Sequence, residues 1–156
     1  YHLHALDGCL TAYAALEEEI RPLLESIWVT PLAEMDDPVS EIPEMLRGLS
    51  ERVPAAMRKY GCPLNNLALE MASQDAGFRE RISAIFEAWA QSLADLIERS
   101  KQKGFVRDDV DSLQVARFLV AAIEGCIGLF KTTQSTEQWG ACCSQIEVYL
   151  RSIRPV

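Results

Sequence analysis

The stretch DSLQVARFLVAAIEGCIGLFK, Asp111–Lys131, is a nearly continuous apolar run that begins with a favourable helix N-cap residue. Among the fifteen positions 115–129, only Arg117 and Glu124 carry a charge. A transmembrane helix needs about 20 predominantly apolar residues, and charges near its middle are costly. The run is too short and too charged for that role, so it predicts a helix inside a folded protein.

Helical spacing divides this run into two faces. The large apolar side chains spread over a broad arc, whereas the remaining face is small and polar. Its two glycines each cost about 1 kcal/mol relative to alanine, which the close approach of another helix can offset. We therefore interpret the helix as core on one side and contact surface on the other. The small face consists of Gln114, Arg117, Ala121, Glu124, Gly125 and Gly128.

The composition is that of one soluble globular domain, with 156 residues, 49% of them apolar and 24% charged. The net charge is −8, and no basic run is longer than Arg58-Lys59. Such a chain is a poor partner for nucleic acid or for an anionic membrane on its own. The five cysteines are odd in number and irregularly spaced, which indicates free thiols in a reducing compartment, the cytoplasm.

Apolar residues recur at steps of three and four along the rest of the chain, and no stretch alternates as a strand. The expected fold is therefore all-α, a bundle of about six to seven helices in a single domain, 1–156. Prolines at positions 22 and 54 predict kinks, and the segment 30–38 is expected to be a connector. Capping residues are predicted at Asp37, Asp75, Asp111 and Ser135, and a C-terminal glycine stop at Gly104.

Residues suited to metal binding or nucleophilic catalysis are sparse. His2 and His4 are two positions apart, so a helix would direct them to different sides, and the adjacent Cys142 and Cys143 make poor joint ligands. No thiol has an obvious base beside it. We therefore expect no metal, no cofactor and no enzymatic activity; a small helical enzyme is the weakest of the functions considered.

Soft and aromatic side chains on several helices could enclose an apolar cavity, or they could form a solid core. In the cavity hypothesis, Asn66 and Glu70 on a short helix contribute an amide and a carboxylate. The ligand would then be hydrophobic, aromatic or planar, and neutral or weakly cationic because Glu70 is the nearest charge. The candidate lining residues are Met57, Asn66, Glu70, Met71, Phe86, Trp89, Phe118, Ala122 and Cys126.

Two motifs resemble the C-terminal domain of the tetracycline-repressor (TetR) family of transcriptional regulators. The first is GCPLNNLALE at 61–70, followed by SQDAGFR at 73–79. The second is KGF at 103–105, then the acidic residues at 109 and 111, ARF at 116–118, and Glu124-Gly125. Together they cover about half of the chain, and the order of the predicted helices extends the resemblance to nearly all of it.

The resemblance implies a homodimer held by the last two helices of each subunit, and a ligand cavity among the preceding helices. It also implies an N-terminal helix-turn-helix domain, absent from this chain, through which alone operator DNA would be bound. The interface predicted from the small face and the last helix comprises Arg117, Ala121, Glu124, Gly125, Gly128, Trp139, Cys142, Ile146 and Tyr149. The alternative is that this face packs inside one subunit.

The expected function is thus the effector-binding and dimerisation domain of a ligand-responsive transcriptional repressor. A helical homodimeric interaction module with no DNA-binding role is the alternative.

Overall fold

The computed structural model describes residues 11–156, apart from the side chains at positions 50 and 51. Within 11–156 every regular element is a helix, which confirms the predicted all-α class. His2 and His4 lie outside the described residues.

The first helix, α1, is continuous over residues 11–33 but alternates between two types of turn. Leu16–Ile20 and Glu25–Val29 form π turns, and Arg21–Leu24 and Thr30–Ala33 are α-helical. Each π turn directly precedes a turn that contains a proline. A proline ring collides with the carbonyl four residues earlier, and the wider π turn makes room for it. The helix therefore passes both prolines, and the expected connector at 30–38 shrinks to residues 34–37.

Three short helices occupy the region around Pro54, where the sequence predicted a kink. They are α2, Pro38–Arg47; α3, Leu49–Arg52; and α4, Ala55–Tyr60. Pro54 separates α3 from α4, because it lacks the N–H that a continuous helix would need. Gly61 ends α4 with a φ of 81°, a conformation that favours glycine.

Four further helices complete the bundle, and three of them begin with a predicted cap. They are α5, Pro63–Met71; α6, Ala76–Gln102; α7, Ser112–Thr133; and α8, Thr136–Ser152. The side chains of Asp75, Asp111 and Ser135 each accept a hydrogen bond from a backbone N–H of the first turn, as predicted, and Asp37 does the same for α2. Gly104 follows α6 with a φ of 77°, which confirms the predicted stop.

The core lies where α7 packs against α6 on one side and α8 on the other, with α8 also resting on α2. Fully burying one large aliphatic side chain stabilises the fold by about 1.5–3 kcal/mol, and this core contains many. Its most deeply buried members include Leu16, Trp28, Ile42, Leu46, Leu96, Ile97, Leu119, Ile123 and Leu150.

The N-terminal part of α1 is attached to the start of α6. The Tyr13 hydroxyl donates a hydrogen bond to Asp75 Oδ1 at 2.6 Å, and the Tyr13 ring lies 4.7 Å from that of Phe78. A Cβ at Gly77 would lie 2.4 Å from the Tyr13 hydroxyl, so this close approach requires glycine. The contact fixes α1, the helix nearest the N-terminus, against the long central helix.

Candidate functional site

An apolar cavity of about 300 Å³ lies where α3 and α4 meet the end of α7 and the start of α8. Its wall is mostly aliphatic, aromatic and sulfur-containing, with a few polar groups. Ligand sites in proteins have this character. The apolar cavity is lined by Arg47, Leu49, Val53, Met57, Arg58, Ile127, Phe130, Thr136, Trp139, Gly140 and Cys143.

The turn between α7 and α8 builds one wall of the apolar cavity. Gln134 ends α7 in the left-handed conformation, with a φ of 51°, and Ser135 then caps α8. The tight turn brings Trp139 against Phe130, with the two rings edge to face and their centroids 6.1 Å apart. The indole N–H of Trp139 donates to the Leu46 carbonyl at 3.2 Å, which fastens this wall to α2.

The charged side chains that line the apolar cavity are both arginines. Arg47 forms an ion pair with Glu147 on α8. Arg58 donates from Nη1 to the Val53 carbonyl at 3.1 Å. No aspartate or glutamate lines the cavity among the described residues.

A second hollow, the α6–α7 groove, has a volume of about 410 Å³. It runs between α6 and α7, beside the start of α5. Arg117 Nη2 and Glu87 Oε2 form an ion pair of 2.9 Å at the groove, and both side chains are half exposed. The groove is lined by Asn65, Phe86, Glu87, Ala90, Arg117, Val120, Ala121, Glu124 and Gly125.

Glu124 is the chemically unusual member of the α6–α7 groove. The residue is only 6% exposed, and neither carboxyl oxygen has a hydrogen-bond partner. Burial raises the pKa of this carboxyl to about 7, an effect that the neighbouring Cys62 thiol partly offsets. Burial and then the charge of Glu124 raise the pKa of Cys62 in turn, so this thiol is not a reactive nucleophile at neutral pH.

A third, small hollow of about 50 Å³ lies beside two stacked indoles. Trp28 on α1 and Trp89 on α6 are stacked with their ring centroids 4.8 Å apart. Both side chains are buried, and the Trp28 Nε1–H has no hydrogen-bond partner.

The structure does not bring the nine candidate ligand residues together around one cavity. Met57 lines the apolar cavity, Phe86 the α6–α7 groove and Trp89 the small hollow. Asn66 is engaged elsewhere, because it accepts from Lys131 Nζ at 2.9 Å and donates to the Tyr60 carbonyl. The remaining five line none of the three hollows: Glu70, Met71, Phe118, Ala122 and Cys126.

The misplaced residues have two physical causes. The face of α7 that carries Phe118 and Cys126 turns toward α8 instead of α6. Phe118 packs on Tyr149 with the ring centroids 4.5 Å apart. Burial, and then the neighbouring Cys142 of α8, raises the pKa of Cys126 to about 12. Glu70 is exposed on α5, so it provides no charge for a buried ligand. The expectation of a weakly cationic ligand beside Glu70 therefore loses its basis.

The nine predicted interface residues divide between the outside and the inside of the subunit. Ala121 and Gly125 are exposed, and Gly128, Cys142 and Tyr149 are partly buried. The other four make contacts inside the subunit: Arg117 pairs with Glu87, Trp139 lines the apolar cavity, and Glu124 and Ile146 are buried.

An exposed apolar face connects α7 and α8 on the outer side of the bundle. It consists of Phe118, Leu129 and Val148, which are 49%, 50% and 58% exposed, together with the half-buried Tyr149. Leu129 and Val148 were absent from the predicted interface. The sequence did contain a signal, because Phe118 and Leu129 are eleven residues apart, about three helical turns, and so share one stripe.

The apolar character of α7 follows from its two roles. The helix has 22 residues, and an 18-residue window within it has a mean hydropathy of 1.7, which is long and apolar enough to cross a membrane. However, Glu124 is buried between helices of the subunit and Arg117 pairs with Glu87 on α6. These contacts are those of a helix packed in a protein, with the exposed apolar face on its outer side.

Among the described residues, no group of three or more His, Cys, Asp or Glu side chains is placed to hold a metal ion.

Comparisons with known proteins agree with this architecture. The family model described as "Tetracyclin repressor-like, C-terminal domain" matches residues 39–146. The structure is similar to the crystal structure of a TetR transcriptional regulator from Chloroflexus aurantiacus J-10-fl. The TM-score is 0.78, with 23% identity, over 93% of this chain and 73% of that chain.

Two curated relatives are similar in sequence. An uncharacterized HTH-type transcriptional regulator in the lacX 3' region of Lactococcus lactis subsp. lactis is 27% identical over 103 residues, 66% of this chain and 50% of the relative. The HTH-type transcriptional repressor DhaR of Mycobacterium sp. (strain GP1) is 25% identical over 125 residues, 80% of this chain and 58% of the relative. The chain thus spans about half the length of the curated relatives it matches.

The family model covers more than half of the chain, and the helical architecture agrees with it. The chain therefore belongs to the TetR family of transcriptional regulators, and it is a tetracycline repressor-like C-terminal domain.

Proposed function

We propose that this chain is the effector-binding and dimerisation domain of a ligand-responsive transcriptional repressor that works in the cytoplasm. Operator DNA would be bound by a helix-turn-helix domain outside these residues. The observation that carries the proposal is the apolar cavity, whose volume of about 300 Å³ is at the lower end of the range for ligand sites. Its wall favours a small apolar effector, and the absence of an acidic lining residue among the described residues gives a cation no partner there.

The apolar cavity is connected to α1 through the short helix α3. Leu49 of α3 lines the cavity, and Arg52 of the same helix donates from Nη2 to the Ile27 carbonyl of α1 at 3.4 Å. An effector that moves α3 would therefore bias the position of α1. A ligand shifts such an equilibrium only through a difference in its affinity for the two arrangements, so the cavity must differ between them.

Dimerisation would use the exposed apolar face of α7 and α8. Exposed apolar side chains clustered on neighbouring helices mark interaction sites, and a twofold dimer would bury the same face of both subunits. Gly128 has no atom near the position of an added Cβ within the subunit, which leaves room for a partner helix to approach closely. Two copies joined in this way would carry two helix-turn-helix domains, as a two-half-site operator requires.

Methionine-methyl NMR tests effector binding at the cavity. The chain contains four methionines, and only Met57 among them lines the apolar cavity. Small apolar compounds that raise the melting temperature are expected to shift the Met57 methyl signal most strongly, while Met35, Met45 and Met71 serve as internal controls. The effector proposal fails if no compound in a broad apolar library stabilises the chain, or if stabilising compounds leave the Met57 signal unchanged.

Sedimentation of the same chain tests the second half of the proposal. A dimer at tens of micromolar is the expected result, and a monomer at that concentration contradicts dimerisation. A dimer that responds to no ligand would instead support an interaction module without a regulatory role.

A further inference from the structure

Glu124 has a buried carboxyl group that no nitrogen or oxygen donor in the described part of the subunit satisfies, and its polar neighbour is the Cys62 thiol. Its exposure is 6%, and both oxygens lack a hydrogen-bond partner. Leaving a charged or polar group buried and unpaired costs free energy, so native structures rarely retain one without a reason. Glu124 also lines the α6–α7 groove, which makes a ligand in that groove the simplest partner for it.

A second polar side chain of the groove is available as well. Asn65, in the first turn of α5, lines the groove and its side-chain amide makes no hydrogen bond within the described residues. An amide offers both donors and an acceptor. Asn65 and Glu124 thus provide unused hydrogen-bonding capacity from two different helices at one place.

The charges of the groove favour a cation. Glu87 and Arg117 neutralise each other as an ion pair of 2.9 Å, which leaves the carboxyl of Glu124 as the unbalanced acid. The ring of Phe86 lines the same groove, and aromatic faces attract cations. The apolar cavity differs in that no aspartate or glutamate lines it among the described residues.

We propose that the α6–α7 groove is a second ligand site, separate from the apolar cavity, that binds a small planar organic cation such as an amidinium. The N–H groups of the ligand donate to the carboxylate of Glu124 and to the amide oxygen of Asn65. The flat part of the ligand lies against Phe86.

The small residues along α7 leave room for this contact. Ala121 and Gly125 line the groove on either side of Glu124, and a Cβ added at Gly125 would meet no atom within 4 Å. Because the carboxyl oxygens are hidden from solvent in the free protein, the Glu124 side chain must rotate toward the groove as the ligand enters. Such a rotation exchanges an unpaired buried carboxyl for a charge-assisted hydrogen bond.

Protonation of Glu124 should oppose binding. Burial raises its pKa to about 7, so near neutral pH a substantial fraction of the carboxyl is protonated and uncharged. The other ionisable groups around it are Cys62 at the start of α5, Glu87 on α6 and Arg117 on α7. A cation selects the ionised form, so its affinity should rise with pH through the window around 7.

Three matched probes test the proposal: benzamidine, which is cationic, benzamide, which is neutral, and benzoate, which is anionic. Binding to the wild-type chain is measured by calorimetry at pH 8 and pH 6. At pH 8, benzamidine is expected to bind at least roughly tenfold more tightly than benzamide, because it can form a charge-assisted hydrogen bond. Benzoate is expected to bind least tightly. Glu124→Gln should remove the advantage of benzamidine, whereas Glu137→Gln, an exposed control on α8, should retain it.

The NMR signal of the Met57 methyl group shows which hollow is occupied. It should stay unchanged when benzamidine binds, because Met57 lines the apolar cavity and not the groove. Equal binding of benzamidine and benzamide, an unchanged affinity in Glu124→Gln, or a shift of the Met57 signal would each overturn the proposal. Before the comparison, circular dichroism is used to confirm that the Glu124→Gln variant is folded.

Discussion

The indole N–H of Trp139 donates a hydrogen bond to the backbone carbonyl of Leu46 across a distance of 3.2 Å. The bond joins the first turns of α8 to the end of α2, and the same indole forms part of the wall of the apolar cavity. Trp139 had been predicted at the dimer interface. Its position inside the subunit makes it a structural support of the proposed effector site instead.

Replacing Trp139 by Phe should destabilise the chain while retaining an aromatic ring in the cavity wall. The variant loses one hydrogen bond and leaves the Leu46 carbonyl with one donor fewer, which costs about 0.5–1.5 kcal/mol of unfolding free energy. Urea denaturation monitored by circular dichroism measures the difference. An unchanged midpoint would show that the Trp139–Leu46 bond contributes nothing to stability.

Glu124→Gln should make stability less dependent on pH. The folded-state pKa of Glu124, about 7, is raised above its ordinary value of 4.5 by burial, so the folded state prefers the protonated acid. The contribution of Glu124 to the wild-type free energy of unfolding is therefore most favourable below pH 4.5. It becomes less favourable as the pH rises from 4.5 to about 7 and beyond. At pH 8 the variant should be more stable than the wild type by about 3 kcal/mol at most, whereas near pH 4.5 the two should nearly agree.

The control for this experiment is Glu137→Gln, because Glu137 on α8 is exposed and lies outside the groove. Its unfolding free energy should follow the wild-type pH dependence. Parallel pH profiles for Glu124→Gln and the wild type would contradict the assignment of a buried, unpaired acid.

A charge on the exposed apolar face should dissociate the dimer without unfolding the subunit. Leu129 and Val148 are about half exposed in the single subunit, so aspartate at both positions costs the monomer little but would be buried in the dimer. The matched control is Leu69→Asp, because Leu69 is 78% exposed and lies on α5, which is not part of this face. Sedimentation equilibrium should show a monomer for the double variant and a dimer for the control. Dimers in both samples would place the interface elsewhere.

Local features of the fold could be predicted from the sequence because they depend on neighbouring residues. Asp75, Asp111 and Ser135 cap the helices that they were expected to cap, and Gly104 ends α6. Pro22 was expected to kink α1, but the preceding π turn accommodates it. The hydrogen bonds of a π turn leave no simple periodic pattern in the sequence, so this turn could not be predicted.

The sites were harder to predict because they depend on which helix lies next to each face. The apolar stripe of α7 is broad enough to serve two neighbours, and periodicity alone does not assign Phe118 to α8 or Ile127 to the apolar cavity. Glu124 was predicted at the interface, whereas its burial inside the subunit depends on the position of Cys62 beside it. Gly140 and Phe130, which line the apolar cavity, had no sequence signal that distinguished them from ordinary helix residues.

Filling the apolar cavity with Gly140→Leu shows whether the cavity is the effector site. Gly140 lines the cavity and a Cβ there would meet no atom within 4 Å, so the larger side chain can be accommodated and should improve the helix propensity of α8 by roughly 1 kcal/mol. Melting temperatures are measured for the wild type and the variant, with and without a compound that shifts the Met57 methyl signal. The account predicts that the compound raises the melting temperature of the wild type and not that of the folded variant. An equal rise in both proteins would contradict it.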